Sequence, residues 1–144
     1  MTLGSQYTTG VIWQDFQHRQ LMDLFFKVKE AKAKKQGDDV FKYSLAFLAM
    51  YVNHHFKLEE EYMDIYYYPA TDAHKKEHRD LIKKIKRLRN SYKEYDDKAI
   101  DTLLITLNNW IREHILVDDK KLGDHIIYSE QKNGGIKAPS GSEG

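Results

Sequence analysis

Apolar side chains recur at steps of three and four along four long stretches of this sequence, and neither of its two prolines interrupts them. Pro69 and Pro139 fall outside the periodic stretches, so long helices can form unbroken. The first stripe is His18, Leu21, Phe25 and Val28, with Asp15 placed to cap its helix. Gly37 and Asp38 end that helix and cap the next, which is expected over about 39–66 with the stripe Phe41, Leu45, Leu48, Val52, His55, Glu59, Met63. A third helix starts near Asp72 and carries His74, His78, Leu81, Ile85 and Leu88. After the polar stretch Asn90 to Tyr95, Asp96 can cap a fourth helix carrying Ile100, Leu103, Leu107, Ile111 and His114. A period-two pattern of any length is absent. The expected fold is all-α, an antiparallel up-down four-helix bundle at 14–128, preceded by an arm at 1–13 and followed by a disordered tail at 129–144 rich in Gly, Ser, Lys and Glu.

Composition narrows the chemistry. A chain of 144 residues suits one domain with one core. With no cysteine there is neither a disulfide framework nor a thiolate metal site, so any metal must be held by His, Asp and Glu. A net charge of +1 argues against nucleic acid or a membrane surface as partner. Met1 to Gly10 is polar, unlike a signal peptide, and no apolar run approaches the ~20 residues of a membrane span. A soluble cytoplasmic protein is the expectation.

The polar residues on the inward stripes are the informative ones. His55 and Glu59 stand four apart, as do His74 and His78, and each pair shares one helix face. The Tyr68-Pro69 break lets their helices turn back on each other. Chain direction then brings His18, His55, His74, His78, His114 and Glu59 to one end of the bundle, a di-metal site at one end of the core. Taken alone, any of these histidines reads as a satisfied core residue; five converging with a carboxylate read as metal ligands. A second carboxylate follows His114, either Asp118 or Asp119. Five residues rotate a regular helix by about 140°, so spacing alone favours Asp118 and leaves Asp119 to a helix that tightens or ends. Imidazole and carboxylate suit iron, zinc, copper or nickel, and carboxylates bridge cations readily. If two octahedral cations share two carboxylates and one oxygen atom, five histidines and the bridges fill all but one position, which stays free for a small ligand. Phe56, Trp110, Ile111 and Ile115 lie next to these ligands or one turn away and would give that position an apolar pocket.

The motifs Asp15-Phe16-Gln17-His18, His55-Phe56-Lys57-Leu58-Glu59-Glu60, Tyr68-Pro69 followed by His74-Lys75-Lys76-Glu77-His78, and Trp110-Ile111-Arg112-Glu113-His114-Ile115 followed by Asp119 occur in order. Over about residues 7 to 126, the chain resembles the hemerythrins, in particular single-domain bacterial ones. The resemblance implies two iron ions, oxo- or hydroxo-bridged, and dioxygen as reversible ligand. It implies that Glu59 and Asp119 bridge, that His74, His78 and His114 hold one iron, and that His18 and His55 hold the other, where the open position lies. It thus selects Asp119 over Asp118. The chain departs from the family pattern at Gln14, where an aliphatic residue is usual, at the additional His54, and after Tyr128; no ligand is lost.

Dioxygen storage, delivery or buffering is the function this implies, with dioxygen itself and an oxygen-consuming protein of unknown identity as partners. The alternatives are an oxygen-sensing module of a larger signalling protein and a di-iron peroxidase or nitric-oxide-detoxifying enzyme. The sequence has no Glu followed three residues later by His, the pattern of bundle di-iron enzymes, and places no general acid on the ligand faces, so a non-enzyme is expected. His54, His125, Glu60, Glu61 and the basic run Lys83, Lys84, Lys86, Arg87, Arg89 read as surface or structural residues, and Tyr66, Tyr67 and Tyr68 as packing for the turn.

Overall fold

The computed structural model describes residues 8–91 and 97–132, and these are helical apart from short connections. Helix α1 spans Ile12–Ala33, α2 Gly37–Ile65 and α3 Thr71–Ser91. The fourth rod has three abutting pieces: α4 (Asp97–Asn109), a π-helical segment (Trp110–Asp119) and α5 (Lys120–Lys132). Asn109 and Lys120 both keep right-handed helical dihedrals, so the rod does not break where its winding changes. α2 packs on α1 and α3, and α4 packs on α1 and α3, which closes the four-helix up-down bundle.

The helix ends differ from the sequence reading in instructive ways. α1 begins three residues before Asp15. Asp15 instead reaches back from the first turn, accepting hydrogen bonds from the Thr9 amide (2.7 Å), the Thr9 hydroxyl (2.9 Å) and the Gly10 amide (3.1 Å). It ties down the segment before the helix, so part of the expected arm belongs to the bundle. α1 ends at Ala33 rather than at Gly37, and beyond its cap Lys35 takes a positive φ of 58° while the Gln36 amide bonds the Ala31 carbonyl. α2 ends the same way: Tyr67 has φ 52° and the Tyr68 amide bonds the Met63 carbonyl. Both are left-handed C-terminal caps of the Schellman type. Tyr67 therefore points to solvent, 87 % exposed, while Tyr66 and Tyr68 pack. α5 carries helix through 129–132, expected to belong to the tail, and Glu130 there accepts a hydrogen bond from the Tyr66 hydroxyl. The remainder of the expected tail, and the expected cap at Asp96, lie outside the described residues.

Two apolar clusters fill the bundle. The larger runs from Leu21, Val28, Phe41 and Ile100 up to Phe56, Trp110 and Ile115. The smaller, Val11, Tyr62, Met63, Leu122 and Ile126, closes the opposite side of a polar layer. Phe41 has no exposed surface. Phe41→Ala should destabilise the fold by about 3–5 kcal/mol, measured by urea denaturation; a loss below 1 kcal/mol would mean that the large cluster does not hold the bundle together.

Candidate metal centre

The polar layer between the clusters holds His18, His55, Glu59, His74, His78, His114 and Asp119, each at most 3 % exposed. These are the residues the sequence nominates, and all four rods of the bundle contribute. They form two overlapping groups. Glu59, His74, His78, His114 and Asp119 make one; His18, His55, Glu59 and Asp119 make the other, with one donor atom from each residue within 4.8 Å of the rest.

Both carboxylates belong to both groups because each divides its oxygens between them. Glu59 Oε1 lies 3.1 Å from His74 Nε2 and 3.0 Å from His78 Nε2, while Oε2 lies 3.3 Å from His55 Nε2. Asp119 Oδ1 lies 3.0 Å from His74 Nε2 and 2.8 Å from His114 Nε2, while Oδ2 lies 2.7 Å from His18 Nε2. Three histidines thus face one pair of oxygens and two face the other.

The π-helical winding is what places Asp119. Bonding from i to i+5 widens each turn, so a residue five beyond His114 returns to the same face. The helix loosens here, where sequence reasoning allowed for tightening or ending. Asp118, favoured by regular spacing, is turned outward: its carboxylate is 29 % exposed and stands 3.9 Å from His114 Nδ1. Neighbouring Glu77 matters to it, since burial and that carboxylate together raise the Asp118 pKa to about 6.

The outer nitrogens of three of the five histidines are paired around the bundle in a regular way, while His18 Nδ1 is buried without a partner. His55 Nδ1 donates to Gln17 Oε1 on α1. His78 Nδ1 donates to Glu60 Oε2 on α2 (2.9 Å), and His114 Nδ1 to Glu77 Oε1 on α3 (2.6 Å). Each acceptor adjoins a member of the cluster in sequence, and each serves a histidine on the following rod. Such bonds fix the tautomer and turn the Nε2 lone pair inward, as in histidines that bind metals. Sequence reasoning assigned Glu60 to water and gave Gln17 and Glu77 no role. Their adjacency to the clustered donors is the available signal. His125, read as a surface or structural residue, sits within α5 and donates to the Tyr66 carbonyl at the end of α2 (2.7 Å). His54 is exposed.

Hydrogen bonds between its own members satisfy only part of the layer: Glu59 with His74 and His78, and Asp119 with His18. His114 Nε2 and Asp119 Oδ1 are 2.8 Å apart, yet neither has a hydrogen-bond partner of acceptable geometry, and His55 Nε2 is likewise unpartnered. Close approach without aligned donors is the arrangement of atoms sharing a cation. In the metal-free chain, protons supply the missing positive charge. Burial lowers the His55, His74 and His114 pKa values, but Glu59 and Asp119, joined at His114 by Glu77, outweigh it and raise them to about 9, 10 and 9. Burial acts upward on both carboxylates, and the facing histidines nevertheless hold both well below their ordinary range.

Apolar rings line the layer, more on one side than the other. Phe56 stacks on His78 at 3.8 Å between centroids, and Trp110 on His114 at 3.7 Å. These two rings, expected around the open position, pack chiefly against the three-histidine group. Phe56 also comes within 5.8 Å of the His55 ring. Ile111 and Ile115 are buried in the same cluster. No helix among the described residues is long and apolar enough to cross a membrane.

The sequence matches the model of the hemerythrin HHE cation binding domain over residues 9–126. It is similar to a bacteriohemerythrin of Clostridium acetobutylicum, 32 % identical over 125 residues that cover 83 % of this chain and 95 % of that protein. A bacteriohemerythrin of Stenotrophomonas maltophilia is 29 % identical over 81 % of this chain and 75 % of its own length. One from Campylobacter jejuni is 26 % identical over 82 % and 86 %. The matched span contains all seven buried donors, and with it the chain belongs to the hemerythrin family.

Proposed function

We propose that this protein binds dioxygen reversibly at a pair of non-haem irons, for storage, delivery or buffering. The observation that carries the reading is the unequal division of histidines about two shared carboxylates. His74, His78 and His114 with Glu59 and Asp119 make one full set of donors, and His18 and His55 with the same carboxylates make a set one histidine short. The two-histidine side is therefore where a small ligand would find room. When bound, ferrous iron supplies the electrons that let dioxygen associate, a chemistry the protein side chains alone lack.

The chain's own residues favour retention over turnover. The donors lie in a layer closed by apolar clusters, which keeps bulk water and its protons away. Tyr51 stacks on His55 at 5.2 Å, but its hydroxyl donates to the Gln17 carbonyl. Burial, with Asp119 and Glu59, raises its pKa well above the ordinary value, so it holds its proton. A phenol held in this way is a poor general acid.

The reading is tested by gas uptake. The ferrous protein should take up one dioxygen per two irons and return it under vacuum over repeated cycles. Continuous consumption of dioxygen or peroxide with a supplied reductant would instead make the protein an enzyme.

A further inference from the structure

Gln14 occupies a costly position that the seven donors do not explain. Its side chain has no exposed surface, although an amide is expensive to bury unless every polar atom is paired. Its Nε2 donates to Glu59 Oε2 at 2.9 Å and to the Asp119 main-chain carbonyl at 3.1 Å. Both partners are acceptors, so the NH2 end must face them. The Oε1 end is buried without a partner. It faces Gly123, where an added Cβ would come within 2.9 Å of Oε1 and 2.8 Å of Thr9 Cβ. A glycine on α5 therefore makes room for a glutamine on α1.

We infer that Gln14 is a positioning residue that holds the Glu59 carboxylate and the backbone of Asp119 and sets the electron affinity of the centre, with Gly123 as its required neighbour. The inference rests on the two-iron reading above. It acts on Glu59 through the side chain and on Asp119 through the backbone at the end of the π-helical segment. The oxygen it touches, Glu59 Oε2, is the one presented to the two-histidine group. A donor against a carboxylate withdraws electron density from it and weakens its donation to a cation. The higher iron charge depends more on that donation than the lower. Removing the amide proton therefore favours the oxidised state, and the reduction potential falls. An aliphatic residue here could fill the space but could not exert this effect.

The test compares the iron-loaded wild type with Gln14→Met, which keeps length and removes both polar ends. The expected result is two irons per chain in both, a lower midpoint potential in the variant by mediated titration, and air oxidation of its ferrous form about 10-fold faster. Gly123→Ala should shift the potential the same way, and should add little in a Gln14→Ala background. An unchanged potential and oxidation rate with two irons bound would overturn the role of Gln14, whereas fewer than two irons in the wild type would overturn the two-iron reading itself. Should Gln14→Met fail to fold, the wild type decides. In 15N spectra with zinc as a diamagnetic substitute, the Gln14 side-chain amide should exchange slowly and shift on loading. Rapid exchange with no shift would contradict the proposal.

Discussion

Asp119→Asn should cost the protein its two-metal centre, whereas Asp118→Asn should leave it intact. The carboxylates are neighbours in sequence, so general effects on helix stability or surface charge are nearly matched between the two variants. They differ in where the π-helical winding sends them. Asp119 is fully buried with its oxygens divided between the two histidine groups; Asp118 is partly exposed and meets Glu77 and the outer nitrogen of His114, away from the shared oxygens. Removing one member of a buried, compensated charge cluster costs roughly 3–5 kcal/mol, about two to four orders of magnitude in affinity. Iron counted per chain after desalting should fall to one or none for Asp119→Asn and stay at two for Asp118→Asn. The reverse pattern would mean that the fourth helix is wound regularly in solution and that the bridging carboxylate is misassigned.

The second large effect is the coupling of metal, protons and stability. In the metal-free chain, the raised pKa values of His55, His74 and His114 stabilise the fold fully below their unfolded value of 6.5 and are spent by about 9 to 10. Glu59 and Asp119 act in the opposite sense. Their depressed values contribute above the unfolded 4.5 and 3.8, and that contribution is lost as pH falls through the lowered folded values. The metal-free bundle should therefore melt highest between about pH 4.5 and 6.5. Cations need the same nitrogens deprotonated, so loading at pH 7 should release protons and its stabilisation should grow with pH. Melting curves of the two forms should diverge from pH 6 to 9, with the loaded form gaining. Parallel curves would show that metal and protons do not compete for these histidines.

The bundle and most of the site are legible from the sequence because they follow from regular helical spacing. His55 with Glu59, and His74 with His78, need only a four-residue step and an antiparallel chain to meet. Asp119 is a different case. A five-residue step reaches the site only if the winding changes, and local spacing carries no signal for a ten-residue π-helical segment. What selects Asp119 from sequence is the family resemblance. The partners Gln17, Glu60 and Glu77 were missed for another reason. Partly exposed polar residues on helix surfaces look like solvated ones, and their acceptor role depends on a histidine from the next rod. The end of α1 lies short of Gly37 because Lys35 adopts the left-handed conformation usually given to glycine, whereas the end of α2 falls within a residue of the expected 66. Gln14 stood out as a departure from the family pattern, but only the structure connects it to Glu59 and Gly123.

The central claim is that two cations share Glu59 and Asp119. Iron-edge anomalous diffraction from iron-loaded crystals tests it most directly. Two peaks are expected in the buried layer, one among His74, His78 and His114 and one beside His18 and His55, each within bonding distance of both carboxylates. A single peak confined to the three-histidine group, or a ligand from Asp118 in place of Asp119, would contradict it.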